Sequence, residues 1–372
     1  MIIQETNPLE MASLYIVYDN LSPLDESECR RGISHVIEHM IGKAVDALLP
    51  QIHEYGITSD FCTNFEFVKA SFTGTADAME KMVPAIMRQI VFFDAERFTE
   101  DDFENERRAV INEVLQHSSD AFHEILHRCQ REAFGIYGPE GTLDNVRAYT
   151  FEEFKEDYNR LVPHPSRIVY VGPRKIQFPK IAFSDRVQFK SITPRISNDY
   201  VPRIPESSDK NECNIIVFIG MEPVVGDRDY AAMTLAVHML AGNDESVLYD
   251  RLRMKDGLVY GCYGEMLTLR CAGILFFYTT ATSQNTGKVI SGMAEVLEDP
   301  ERFLTEELFA HTKKYYENSL KATQILRFCN SQDLVRHGMI TEMHDILDIG
   351  YPELVATAKK YLARGKIRTY VG

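Results

Sequence analysis

Two short runs of this 372-residue chain carry histidine and glutamate at spacings that suit a metal ion. The first is H-x-x-E-H, formed by His35, Glu38 and His39 in GISHVIEHMIGKAVDALL. Apolar Val36, Ile37, Met40, Ile41, Val45 and Leu48 recur there at helical spacing, so the stretch reads as an amphipathic helix. Residues four apart share a helix face, which lets both imidazoles reach one ion. Glu38 projects to the same side, where its carboxylate can take a proton from water on a metal. This order of residues is the inverted zincin signature. The second run has the ordinary zincin order, H-E-x-x-H: His123, Glu124 and His127 in DAFHEILHRCQREAF, with Glu152, Glu153 or Glu156 as nominal third ligands. The two runs by themselves leave the choice open. Glu106 and Glu113, in ENERRAVINEVLQ, lie seven residues apart and so share a face over two helical turns. Glu113 can complete a two-histidine, one-glutamate set with His35 and His39. A solvated charged face is the competing reading of that pair.

The elements that must hold these residues come in a repeated order. An alternating, β-rich run at Ser13–Asp19 returns at Asn214–Met221. Helix-like stretches open at Thr99 and again at Thr305. A helix starting at Thr150, with Glu153 three residues on as a capping box, is echoed by PELVATAKKYLAR from Pro352. Each half closes on a strand, RIVYVG at 167–172 and IRTYVG at 367–372. Four landmarks in the same order predict a duplication. The expected organisation is an N-terminal metal-binding domain at 1–173, a proline-containing linker at 174–211 and a homologous C-terminal domain at 212–372. Strands and long helices mix without strict alternation, so the fold class read here is α+β, two tandem domains of mixed or antiparallel sheet packed against helices.

Composition narrows the function. Fifty-five acidic against 40 basic residues leave a formal charge of −15, which argues against nucleic-acid binding. Seven scattered cysteines without a C-x-x-C pair fit free thiols in a reducing compartment. No apolar run reaches the ~18 residues of a membrane span. The start, MIIQETNPLEM, has neither a basic nor an apolar leader segment, so the expected location is cytoplasmic.

The residues then point to a family. Gly32–Met40, GISHVIEHM, resembles the G-x-x-H-x-x-E-H-M hallmark of the insulinase/pitrilysin peptidases, whose smaller members include subunits of the mitochondrial-processing-peptidase type. Glu106–Glu113, ERRAVINE, resembles the family's E-R-x-x-V-x-x-E, and Tyr249–Gly261, YDRLRMKDGLVYG, its L-R-x-K-x-G-L-x-Y segment. The resemblance implies a zinc endopeptidase with one Zn²⁺ per chain on His35, His39 and Glu113. Glu38 would be the general base, and Glu106 an orienting neighbour of the site. It further implies that Tyr260 supports the oxyanion and Arg253 holds substrate carbonyls. The strand-like stretch Ile57–Phe72 would receive an unstructured peptide by β-addition. A homodimer, or a heterodimer with a related subunit, is the implied assembly. The chain departs from the family in its short region before His35, in AGNDES (Ala241–Ser246) where glycines are usual, and in Asp60-Phe61 where an Asn-Ala pair is common. The second half keeps only His238 of the metal motif, in YAAMTLAVHMLAG. Relatives that serve as silent structural subunits supply the alternative function, and a zincin built on His123, Glu124 and His127 a third.

Overall fold

A computed structural model describes residues 1–6, 9–135, 138–185, 212–221, 227–269, 273–325, 344–362 and 367–372. The described chain gathers into two compact units. Unit 1 takes in Met1–His117 and resumes at Gly138, while 118–135 belong to unit 2 together with 212–322 and 344–372.

In unit 1, strands β1 (Ile2–Thr6), β2 (Met11–Tyr18), β3 (Thr58–Thr63), β4 (Val68–Thr75) and β5 (Arg167–Gly172) form one sheet in the order β1-β5-β2-β4-β3. Neighbours run antiparallel except β1 and β5, which are parallel. The stretch expected as one extended run at Ile57–Phe72 is therefore a hairpin, and β3 is its outer strand at the sheet edge. Alternation along β2 sends Leu14, Ile16 and Tyr18 into the main core and Tyr15 and Val17 to the opposite face. Helix α1 (Ile33–Val45) lays Val36, Ile37, Met40 and Ile41 into that core, joined by Met79, Val83 and Ile86 of α2 (Ala76–Ile90). Helix α3 (Glu100–Ser119) buries only Phe103, Val110 and Val114, a single stripe that leaves its acidic residues to other faces. The Thr99 hydroxyl accepts from the Asp102 N–H at 3.1 Å to start it. Helix α5 (Phe151–Leu161) begins in the expected capping box of Thr150 and Glu153. Beyond β5, residues 174–185 have no regular structure but pack on this unit. Gln4 exchanges two hydrogen bonds with the Ile176 backbone, and Phe178, Ile181 and Phe183 lie against the core. The rest of the expected linker, 186–211, lies outside the described residues.

In unit 2, β6 (Glu212–Met221), β7 (Tyr263–Thr268), β8 (Gly273–Thr282) and β9 (Ile367–Val371) form an antiparallel sheet in the order β7-β8-β6-β9. This repeats the β3-β4-β2-β5 order of unit 1. Helices α6 (Arg228–Ala241), α7 (Thr286–Glu298) and α9 (Tyr351–Tyr361) contribute to its core, and α8 (Glu306–Ile325) carries Phe309 into it. Helix α4 (Ala121–Phe134), from the first half of the sequence, also packs here. Phe122 meets Tyr278 at 5.0 Å between ring centroids, and Glu132 accepts from Arg368 at 2.8 Å and from the Tyr370 hydroxyl. The mixed α+β class is thus the one observed. Among the described residues, no helix is long and apolar enough to cross a membrane.

Candidate metal centre

The site is assembled in unit 1 from α1, α3 and β3. Because α1 packs its Val36–Ile37–Met40 stripe on the sheet, His35, Glu38 and His39 fall on the flank that meets α3. On α3, the Phe103–Val110–Val114 stripe turns Glu106 and Glu113 toward the same flank. His35 Nε2 and His39 Nε2 each stand 3.5 Å from Glu113 Oε2. The three donors all lie within 4.8 Å of one another, and among the described residues no other His/Cys/Asp/Glu group of three or more converges in this way. Donors about 2.1 Å from a tetrahedral zinc stand roughly 3.4 Å apart, so the observed separations fit such an ion, as does the donor chemistry of two imidazoles and one carboxylate.

The surroundings add a second layer of constraint. The His39 ring donates from Nδ1 to Glu106 Oε2 at 3.3 Å, which turns its Nε2 to Glu113. His35 is almost fully buried. Glu38 Oε2 is 3.9 Å from His35 Nε2 and accepts the Thr63 hydroxyl of β3 at 3.3 Å. Burial lifts the Glu38 pKa above the ordinary carboxylate value, against the pull of the two imidazoles and Thr63. For His39, burial opposes the charged ring, but hydrogen bonds to Glu106 and Glu113 outweigh it and push the pKa up to about 9. Hydrogen bonds from His35 and His39 hold Glu113 well below the usual carboxylate range. Such a concentration of perturbed groups around one point is a functional-site signature.

The sequence-derived residues divide between the units. His35, Glu38, His39, Glu106 and Glu113 meet in unit 1. Arg253 and Tyr260 belong to unit 2, where the Arg253 guanidinium lies 5.5 Å from the Tyr260 ring centroid and Tyr260 is 83% exposed. Val259 makes an isolated bridge to Ala281, so Tyr260 projects from a loop rather than a strand. His123 and His127 lie on α4 with ring centroids 6.3 Å apart, and His123 pairs instead with the helix-capping Asp120 at 2.9 Å. His238, the remnant in α6, accepts at Nε2 from Asn243 and stacks on Tyr315 at 4.8 Å. Of the family departures, Asp60 pairs with Lys69 at 3.2 Å, while Phe61 turns inward over Gly42 and Phe72. Thr63 and Glu26, which accepts backbone N–H groups at the start of α1, escaped sequence reasoning. Neither stands in a pattern that marks a role.

Comparison with known proteins agrees with this fold. The family model described as the peptidase M16 inactive domain matches residues 177–316. A protease from Helicobacter pylori superposes with a TM-score of 0.81 at 15% identity, covering 100% of this chain and 96% of that one. A peptidase M16 inactive domain from Pseudomonas fluorescens gives 0.79 at 14% identity, covering 100% and 94%. A chain of complex III2 from Candida albicans gives 0.76 at 13%, covering 100% and 93%. No curated protein matches the sequence. Together these likenesses show a shared fold over the whole chain and a sequence match to the peptidase M16 inactive-domain model over 177–316.

Proposed function

We propose that the chain is a zinc-dependent endopeptidase that cuts extended or unfolded peptides. His35, His39 and Glu113 hold the ion, and Glu38 is the general base. The observation that carries this reading is the convergence of three donors, both imidazoles 3.5 Å from Glu113, beside a buried carboxylate. When bound, zinc supplies Lewis acidity that makes water a competent nucleophile near neutral pH and polarises the scissile carbonyl. Glu38, its pKa raised by burial, takes the proton of the attacking water and returns it to the leaving amine. Thr63 donates to Glu38 Oε2, the oxygen that lies 3.9 Å from His35 Nε2, and so fixes the carboxylate beside the metal donors. The β3 edge receives the peptide as an added strand, which reads main chain more than side chains and gives broad specificity. Tyr260 donates to the developing oxyanion and Arg253 holds a substrate carbonyl in this scheme. A second subunit, a copy of this chain or a related one, encloses the site.

A second reading has its own support. The comparisons by themselves side with a catalytically silent, structural relative, since both the family model and one superposed structure carry the word inactive. The matched stretch begins at residue 177, after the whole metal set, so the label bears on the part of the chain without H-x-x-E-H. One experiment separates the readings: cleavage of a mixed library of unstructured peptides by the zinc-loaded chain, beside Glu38→Gln. The peptidase reading expects turnover by the wild type alone. Stoichiometric zinc without turnover in either chain overturns it and favours the silent subunit.

A further inference from the structure

Helix α1 starts without a side-chain cap. Gly32 stands at its N-cap with φ +103°, and the first helical hydrogen bond runs from the Val36 N–H to the Gly32 carbonyl. A helix start leaves several N–H groups without intrahelical partners, and two at this end are met by Glu26, six residues before Gly32 and eight before Ser34. Glu26 accepts the Gly32 N–H on Oε2 at 2.8 Å and the Ser34 N–H on Oε1 at 2.7 Å. Both oxygens are therefore spent on the backbone of the turn that immediately precedes His35. A carboxylate at this end also opposes the positive pole of the helix. The neighbouring chain leaves little slack. The Thr142 N–H donates to the Arg31 carbonyl at 3.3 Å, and a Cβ on Gly141 would stand 2.1 Å from the Gly32 Cα.

The geometry points to Glu26 as a positioning residue for the metal centre: its two-oxygen grip on the Gly32 and Ser34 backbone sets the first turn of α1 and so the place of the His35 ring. This rests on the metal-site reading above. His39 does not need the same help, because Glu106 turns its ring from the α3 side. His35 has no such aid, since its buried Nδ1 has no hydrogen-bond partner among the described residues. Its ring is placed by its backbone, and its backbone by Glu26.

The test uses the full chain with cobalt(II) as a spectroscopic probe and zinc for affinity, comparing wild type with Glu26→Gln and Glu26→Asp. Gln keeps the shape but loses one acceptor, whereas Asp keeps both acceptors on a shorter stem. The expected result is about tenfold weaker zinc binding and an altered cobalt visible spectrum in Glu26→Gln, with Glu26→Asp between it and wild type. Should Glu26→Gln not fold, Glu26→Asp carries the same comparison. A role confined to helix stability would lower the melting temperature and leave the cobalt spectrum and zinc affinity unchanged, and that result in both variants overturns the inference. A wild-type chain that takes up no cobalt overturns the metal-site reading itself, which keeps the two failures apart.

Discussion

Replacing Glu106 by glutamine tests whether the α3 acidic pair belongs to the metal centre or is a solvated helix face. The substitution keeps the side-chain volume and removes the charge that accepts from His39 Nδ1 at 3.3 Å. Carboxylates that orient a metal-ligating histidine are worth roughly 10–100-fold in metal affinity. The bond here is long, and the His39 and Glu106 side chains are 21% and 25% exposed, which places the effect at the low end. We expect about a tenfold loss in zinc affinity, equivalent to about 1.4 kcal/mol. Glu113→Gln, which removes a donor rather than its orienter, must cost more. Glu104→Gln, on the same helix but paired with Arg107 at 2.7 Å, should cost nothing measurable. Competition against a chromophoric chelator at fixed pH reads all three. If Glu106→Gln binds zinc within about twofold of wild type, the contact is a surface ion pair and the orienting role is refuted.

Three further outcomes are expected. In the metal-free chain, His39 with its pKa near 9 instead of 6.5 contributes stability that is full below pH 6.5 and lost as pH rises through about 9; Glu113, held below 4.5, contributes above pH 4.5 and loses that as pH falls. The metal-free cluster is thus most stabilising between pH 4.5 and 6.5, whereas zinc, which needs neutral imidazoles, gains affinity as pH rises toward 9. Melting curves with and without zinc across this range should show a zinc-induced shift that grows with pH, and a flat shift contradicts the ligand set. Gly141→Ala, at φ +85° and against the Gly32 backbone, should cost at least about 3 kcal/mol in denaturant unfolding; a loss under about 1 kcal/mol would mean that this contact yields easily. Glu132→Ala strips the acceptor from Arg368, only 5% exposed, and should lower the unfolding free energy by about 2 kcal/mol, measured in urea; no change would show that α4 is held by its apolar face alone.

What sequence could and could not reveal follows from the range of each interaction. The caps at Thr99 and Thr150, the α1 periodicity and the closing strands depend on neighbours within a few residues, and each was legible. The β3–β4 hairpin was not, because no glycine or proline marks its turn. Asn64 makes it instead, its side chain accepting the Phe65 N–H at 2.7 Å while its own N–H donates to the Phe67 carbonyl at 2.8 Å. The docking of α4 in unit 2 was equally hidden. A helix in the first half gives no local sign that Glu132 will meet Arg368 and Tyr370 at the other end of the chain. The helical spacing of His35, Glu38 and His39 singled them out as a candidate set, while Glu113 joined them only through the family resemblance. Their supports were not legible, since Thr63 and Glu26 act through a hydroxyl and a carboxylate that any surface residue could offer.

The same strand order in both units shows that this scaffold does not by itself bring histidines and carboxylates together. Aligning His39-Met40 with His238-Met239 sets His35 against Thr234 and Glu38 against Val237. The Thr234 hydroxyl donates to the Tyr230 carbonyl of its own helix at 2.9 Å, so a neutral oxygen stands where unit 1 has an imidazole. The helix that supplies Glu106 and Glu113 in unit 1 has its counterpart in α8, which presents Tyr315 and Tyr316 to His238 instead. Burial lowers the His238 pKa and among the described residues no carboxylate opposes it, the reverse of His39, where hydrogen bonds to two carboxylates overcome the burial of the ring. A cation beside His238 would be desolvated with no anion among the described residues to meet it, whereas beside His39 the charge of Glu113 is already in place. The difference between the two units thus lies in which helix brings carboxylates to the imidazole, and α3 is the one that does.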